Sequence, residues 1–284
     1  TLYVKTVGDN TVMTAAQMKS VADAVLALAA PATVDFSEVV YESTTFPNSF
    51  KSNANLAGIV FPQNVTATAS AAFQKTGMTS VTVLKDISYG SNAFDSCASL
   101  VSVTVEEGVT EIGNYMFQNT KLTDVTLPNS VTKIGASAFN GCSLTTINFG
   151  QGVKTIENSA FQNCGELTEI ILPDATETLG QNAFGDCPKL AKISLGKNMK
   201  TLEAYCFVGY SKGCPLLGDI ICRATTPPTL KDDYGTGPFG GGWSPVAGKD
   251  VPAENRIIHL PKSADLVGGT GALSLIHISE PTRP

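Results

Sequence analysis

The chain has 284 residues, of which 43% are hydrophobic and 15% charged, and its formal net charge is −6. These values are typical of a soluble globular protein and argue against a disordered chain. The acidic balance, without a run of Lys or Arg, argues against binding to nucleic acid or to an anionic membrane surface. The longest apolar stretch, Val21–Ala32, contains Asp23 and ends near Pro31, so it is too short to span a bilayer.

The N-terminal residues predict one helix. Thr14 and Gln17 form a capping-box pattern, and apolar residues follow at helical spacing up to Pro31. We interpret residues 1–45 as an N-terminal cap that consists of this helix and an irregular first coil containing Val34–Phe36. The alternative interpretation is an amphipathic helix that binds a partner.

An apolar triplet of the form L-x-x-I-x-L then recurs along the chain. Its middle members are separated by 22, 22, 22, 22, 23, 23 and 27 residues, and they are Ile59, Val81, Val103, Val125, Ile147, Ile170, Ile193 and Ile220. Phenylalanines recur in step with the triplets, at Phe50, Phe73, Phe94, Phe117, Phe139, Phe161, Phe184 and Phe207. Such a period indicates stacked repeat units.

The triplets predict short strands. Two apolar residues that are two positions apart lie on the same side of a strand, and the residue between them lies on the other side. One short strand cannot bury its apolar side alone, so the coils must stack and form a continuous core. The phenylalanines are expected to form a second inward column on the opposite wall.

The repeat Leu122–Cys142 resembles the BspA-like class of bacterial leucine-rich repeat, and eight such units extend from Leu56 to Cys222. The resemblance implies an α/β solenoid, a right-handed stack of coils with a parallel β-sheet on one face. It also implies a surface-displayed bacterial adhesin. Ordinary leucine-rich repeats have Asn or Cys at a position after the strand. This chain departs from that pattern, because it has Gly108, Ser130 and Gly152 at that position.

The repeat pattern divides the chain into four segments. Residues 1–45 form the cap, and residues 46–223 form the solenoid of about eight repeats, each 21–27 residues long. Residues 224–267 are predicted to be a C-terminal cap of loops and a short strand around Ile257–Leu260. Residues 268–284 resemble a translated cloning adapter, and we predict that they are not native.

The seven cysteines are predicted to be buried thiols. Cys97, Cys164, Cys187 and Cys214 each precede the strand-leading Leu by three residues, and Cys142 precedes it by two. They share one repeat position, at which free Cys behaves as a small hydrophobic residue. Disulfides between coils and a metal site are the alternatives. No two cysteines have the C-x-x-C spacing of a zinc site, so we predict no metal.

The sequence does not predict an enzyme. One of the two histidines, His277, lies in the suspect tail, and His259 alternates with apolar neighbours. Gly235, Gly237 and Gly240 match G-x-G-x-x-G only formally, because no predicted strand precedes them. A hydrolase that uses Asp232, Asp233 and His259 is the remaining enzymatic alternative, and we predict no cofactor.

The outward positions of the strands are the candidate ligand-binding face. The predicted contact residues are Asp124, Thr126, Thr146, Asn148, Glu169, Ile171, Lys192, Ser194 and Asp219. Tyr234, Phe239 and Trp243 in the Gly-rich loop form a second candidate contact.

These surfaces predict a recognition or adhesion module that binds a protein or glycan on a host or neighbouring cell. We expect a monomer at the cell surface or outside the cell, whose signal or anchor segment lies outside this chain. An architectural spacer without a ligand is the alternative.

Overall fold

The computed structural model describes residues 1–4, 12–207, 213–224, 228–231, 257–259 and 276–277. These residues contain one helix and twenty strands. In chain order they are β1 (Leu2–Tyr3), α1 (Ala15–Leu26), β2 (Ala32–Asp35), β3 (Thr45–Phe46), β4 (Leu56–Val60), β5 (Ala67–Thr68), β6 (Ser80–Val83), β7 (Ser102–Val105), β8 (Glu111–Ile112), β9 (Asp124–Thr126), β10 (Lys133–Ile134), β11 (Thr146–Asn148), β12 (Thr155–Ile156), β13 (Glu169–Ile171), β14 (Thr178–Leu179), β15 (Lys192–Leu195), β16 (Thr201–Leu202), β17 (Asp219–Cys222), β18 (Thr229–Leu230), β19 (Ile257–His259) and β20 (Ile276–His277).

The predicted strands form the first wall of a stack of parallel coils. The middle member of each triplet lies on a strand, and equivalent positions of neighbouring coils pair in register, as Val81 does with Val103 and Ile193 with Ile220. The hydrogen-bonded ladder is divided into four groups, β1-β2-β4, β6-β7, β9-β11 and β13-β15-β17-β19-β20. The predicted β-solenoid of about eight turns is therefore confirmed.

A second parallel sheet lies on another wall, and the sequence analysis did not predict it. It has six strands of two residues each, in the order β18-β16-β14-β12-β10-β8. One buried aliphatic residue in nearly every strand faces the core, for example Ile134 and Ile156, which pair in register. Strands this short show no alternation of apolar and polar residues, so periodicity alone does not reveal them.

The phenylalanine column is confirmed on a third wall. Its rings stack with centroids 5.2–5.6 Å apart from Phe73 to Phe184, and the successive planes differ by at most 18°. Phe46, which is outside the predicted column, stacks on both Phe50 and Phe73 at 5.9 and 5.7 Å. Each buried aromatic side chain contributes roughly 2–3 kcal/mol of hydrophobic stabilisation.

Two residues around each column phenylalanine from Phe73 to Phe184 have left-handed backbone conformations. They lie two positions before and two after the ring, as Ser159 (φ 57°) and Asn163 (φ 61°) do around Phe161. Alternate N–H groups in this segment donate to carbonyls of the next coil, for example Phe161 N to Ala183 O at 2.8 Å. The third wall is thus hydrogen bonded between coils without being a regular sheet.

The predicted N-terminal helix begins after Thr14 and contacts the first coils. The capping box is present, because Gln17 N donates to Thr14 Oγ1 at 3.3 Å and Thr14 N donates to Gln17 Oε1 at 2.8 Å. Asn53 and Asn55 lie before β4, and their amide groups donate to Ala22 O and Leu26 O at 2.8 and 2.9 Å. These contacts attach the helix to the solenoid, while its role as a cap stays a prediction.

The C-terminal strands extend both sheets. β18 adds to the second sheet, and β19, within the segment predicted as a short strand, pairs parallel with β17 in the first, while the role of this region as a cap stays a prediction. β20 pairs with β19 and lies within residues 268–284, whose non-native origin stays a prediction. Arg223, directly after β17, donates to Leu172 O at 2.9 Å and to Leu195 O at 3.1 Å, and it pairs with Asp174 at 3.2 Å.

The cysteine thiols connect adjacent coils. All seven are buried and free of disulfides, as the buried-thiol interpretation predicts. Five of them donate from Sγ to a phenylalanine carbonyl of the preceding coil over 3.0–3.3 Å, and these are Cys97, Cys142, Cys164, Cys187 and Cys214. Thr76 and Thr120 hold the same repeat position, and their hydroxyls bond to Cys97 and Cys142.

Burial should make these thiols unreactive in the folded protein. It raises the pKa of Cys142 to about 11 and that of Cys164 well above its ordinary value, and only the thiolate is nucleophilic. We expect none of the seven to react with Ellman's reagent at mildly alkaline pH before unfolding, and all seven to react afterwards without a reductant. A smaller number after unfolding would show that some cysteines are paired.

The left-handed positions predict opposite effects for the same substitution at neighbouring residues. Ala71 has φ 58°, so Ala71→Gly removes a steric penalty and should raise the free energy of unfolding by about 0.5–1 kcal/mol. Ala72 is fully buried, and Ala72→Gly should lower it by about 1–2 kcal/mol through loss of a buried methyl group and greater freedom of the unfolded chain. Urea unfolding measures both changes, and destabilisation by Ala71→Gly would contradict the expectation.

Candidate ligand-binding face

The outward side of the first sheet carries two parallel rows of side chains. In-register pairing places equivalent residues of neighbouring coils beside one another, about 4.8 Å apart. We define the first row as Ser80, Ser102, Asp124, Thr146, Glu169, Lys192 and Asp219. We define the second row as Thr82, Thr104, Thr126, Asn148, Ile171, Ser194 and Ile221. All the predicted sheet-face residues belong to these rows.

Asp124 organises a cluster of threonine hydroxyls. Thr146 donates to Asp124 Oδ1 at 2.6 Å and Thr123 donates to Oδ2 at 2.9 Å, while Thr145 lies 3.3 Å from Oδ1. The hydroxyl of Thr146, and next that of Thr123, lowers the pKa of the Asp124 carboxyl below its ordinary value. The carboxylate is therefore held in one orientation on an exposed surface.

Charges of opposite sign alternate along the C-terminal part of the first row. Glu169 Oε1 and Lys192 Nζ are 2.9 Å apart, and both side chains are partly exposed. The register places Asp219 beside Lys192 on the following strand. An exposed pair of this kind contributes little to stability, so its residues can change without loss of the fold.

The second row becomes apolar towards the C-terminus. Ile171 is 60% exposed, which is unusual for a large aliphatic side chain. Ser194 was predicted to be an exposed contact, but it is only 9% exposed, and that part of the prediction is wrong. The register places this short side chain between Ile171 and Ile221, whose branched side chains flank it.

The sequence of the repeats matches a protein-family model that is described as "BspA type Leucine rich repeat region". The match covers residues 32–89 and 88–213 and contains six copies of the repeat. The chain belongs to the BspA-type leucine-rich repeat family. Proteins of this family and fold are repeat scaffolds and are typically not enzymes.

Solved structures similar to this BspA-type chain are bacterial proteins at low identity. They include a leucine-rich cell surface protein of Faecalibacterium prausnitzii (22% identity, 66% of this chain and 62% of that chain, TM-score 0.47) and the pneumococcal vaccine antigen PcpA (17%, 82% and 68%, 0.44). A leucine-rich repeat protein of Bacteroides ovatus shares 18% identity over 82% of this chain and 79% of that chain, with a TM-score of 0.32. The chain spans less than two thirds of the Faecalibacterium protein. A search of curated proteins gives no significant match.

Several of the functional residues predicted for the BspA-type chain lie outside the part of the chain that the structure describes. Tyr234, Phe239 and Trp243 lie outside the described residues, as do Asp232 and Asp233 of the hydrolase alternative. Of Asp219 and His259 only the strand positions are described. Within the described ranges no three His, Cys, Asp or Glu side chains converge on a metal position. In the same ranges the helix is neither long nor apolar enough to cross a membrane.

The first sheet also carries a groove of about 350 Å³ between β4 and β6, which the sequence did not predict. Phe61, Tyr89 and Phe94 line its floor, although the repeat pattern assigns the phenylalanines to the core. One signal was present in the sequence, because Gly58 is the single glycine among the outward positions of the triplet strands.

The Asp124 cluster predicts a change in carboxyl titration. Thr146→Val removes the donor closest to Asp124, so the pKa of Asp124 should rise towards its ordinary value. The stabilisation by these hydrogen bonds is present at neutral pH and is lost as the pH falls through the lowered pKa of the folded state. Carbon-detected NMR titration measures the shift. Thr126→Val is the control, and an equal shift there would contradict the assignment.

Proposed function

We propose that this chain is a recognition module of the bacterial cell surface that binds a protein through the part of the two rows that lies on β9 to β17. The contact residues are the predicted set without the buried Ser194, namely Asp124, Thr126, Thr146, Asn148, Glu169, Ile171, Lys192 and Asp219. The partner is a protein on a host or neighbouring cell, and the module is a monomer outside the cell. The exposed Ile171 beside the Glu169–Lys192 pair is the observation that supports this proposal most directly.

The surface has the chemistry of a protein-binding site. A protein interface needs an apolar centre and polar or charged groups around it. Ile171 provides exposed apolar surface, and Glu169, Lys192 and Asn148 lie beside it on the same or adjacent strands. The rigid stack keeps these side chains at fixed spacing, so little conformational entropy is lost when a partner binds.

The Asp124 cluster adds polar specificity to this surface. Its carboxylate already accepts hydrogen bonds from threonines, so a bound partner meets a fixed array of hydroxyls with a negative charge at its centre. A basic or hydroxyl-bearing side chain of the partner fits this array. Like charges would be repelled there, which favours one orientation of the bound protein.

The test compares two identical substitutions on different walls. Glu169→Lys reverses one charge of an inter-coil pair on the proposed face, and Glu177→Lys reverses the corresponding charge of the Glu177–Lys200 pair beside the second sheet. Captured surface proteins are first identified by mass spectrometry and then purified, and binding is measured by interferometry. We expect Glu169→Lys and Ile171→Asp each to weaken binding at least tenfold, and Glu177→Lys to change it less than twofold.

Two outcomes would contradict the proposal. If no purified surface protein binds the wild-type chain, the architectural-spacer interpretation is favoured. If a partner binds all three variants equally, the interaction uses a different surface. Circular dichroism and thermal unfolding of each variant distinguish loss of contact from loss of the fold.

A further inference from the structure

The groove between β4 and β6 originates in an irregularity of the sheet. β4 pairs with β2 and β6 pairs with β7, but in the described residues no ladder joins β4 to β6. The register of β2 and β4 moves from Ala32–Leu56 to Thr33–Gly58, so Ala57 is an extra residue, a β-bulge. A bulge bends its strand, and this one lies on the strand next to the break between β4 and β6.

The groove leaves part of its apolar lining accessible. Ile59 and Val81 are half-buried, as are the equivalent Val103 and Ile147, whereas Ile170 and Ile193 in the C-terminal coils are at most 1% exposed. Below them Phe61 contacts Tyr89 edge to face at 6.5 Å, and Tyr89 contacts Phe94 at 5.6 Å. Phe94 is only 3% exposed and its ring stacks on Phe73 and Phe117, so the accessible floor consists of Ile59, Val81 and the partly buried rings of Phe61 and Tyr89.

The rim of the groove consists of hydroxyl groups. Five side chains contribute them, Thr33, Ser80, Thr82, Ser102 and Thr104. None of the last four hydroxyls forms a hydrogen bond to another described residue, in contrast to the threonines around Asp124. They remain available to a ligand as both donors and acceptors.

Tyr89 fixes the floor of the groove. Its hydroxyl accepts from Leu84 N at 3.3 Å and lies 3.4 Å from Thr82 O, to which it donates. Burial raises its pKa to about 12, so the phenol stays neutral. The described residues that line the groove include no Asp, Glu, Lys or Arg.

From this lining we infer that the groove binds one pyranose ring of a neutral glycan. A sugar ring has an apolar C–H face and a hydroxyl edge, which correspond to the aromatic floor and the hydroxyl rim. The volume of about 350 Å³ is near the lower end of the range for small-molecule pockets, so it suits one ring. A charged sugar or an inorganic ion would be desolvated there without a counter-charge.

This site is separate from the protein-binding residues proposed above. It lies on β4, β6 and β7, whereas those residues lie on β9 to β17. The two proposals can therefore succeed or fail independently. A bound glycan here would give the module a second, chemically different contact with a cell surface.

The binding test uses simple sugars as probes of the intact chain. The methyl pyranosides of glucose, galactose, mannose and N-acetylglucosamine are titrated one at a time, with N-acetylneuraminic acid as the charged comparison. Saturation-transfer NMR detects binding, and the methyl signals of Ile59 and Val81 locate it. We expect saturable shifts with at least one neutral sugar and none with the charged one.

Matched variants test the position of the site. Thr82→Trp places a large ring at the rim and should weaken sugar binding at least tenfold, whereas Thr155→Trp on the second sheet should not change it. Thr82→Val removes one hydroxyl with little change in volume, and it should weaken binding roughly threefold to tenfold against no change for Thr155→Val. The valine pair keeps the test valid if the tryptophan variant does not fold.

Three results would overturn the inference. The first is the absence of saturable shifts with every neutral sugar. The second is sugar binding that is the same in Thr82→Trp, Thr82→Val and the wild type. The third is binding of p-cresol or 3-methylindole at Ile59 and Val81 in preference to sugars, which would assign the groove to an aromatic side chain of a protein partner.

Discussion

Stacking between neighbouring coils is the interaction on which the whole structure depends. A coil of about 22 residues has three short walls, and none of them buries its apolar side without the next coil. Parallel strands connect two walls, while phenylalanine rings and left-handed turns connect the third. The thiols of five cysteines add bonds from their coils to the carbonyls of the preceding coils. The core is thus continuous although each unit is small.

Because the inward residues hold the coils together, the residues on the outer face can vary along the chain. Inward positions are restricted by packing to apolar side chains such as Leu, Ile, Val, Phe, Met, Ala and Cys, but outward strand positions contact solvent and accept many side chains. The outward residues change from Ser and Thr on β6 and β7 to charged and aliphatic residues on β13 and β15. The same scaffold therefore presents different chemistry at its two ends.

The sequence predicted what repeats strictly and missed what departs from the repeat. The strands and the phenylalanine column follow from spacing, because every coil carries an apolar triplet and a Phe at nearly constant intervals. The two-residue strands of the second sheet are too short for a periodic signal. Phe46 and the bulge at Ala57 lie where the first coils are irregular, and the burial of Ser194 depends on its neighbours across the sheet. Such features arise from contacts between coils, which one repeat does not encode.

Arg223 has a consequence for how the array comes apart. In a one-dimensional stack each coil touches only its neighbours, so coils can detach one at a time from an end. The guanidinium of Arg223 instead binds the Leu195 carbonyl of the adjacent coil and the Leu172 carbonyl of the coil beyond it. Detaching the coil that contains β17 therefore breaks bonds to two others at once. The hydrogen bonds of Arg223 reach past the nearest coil and oppose fraying at this end. They make the three coils a single cooperative unit.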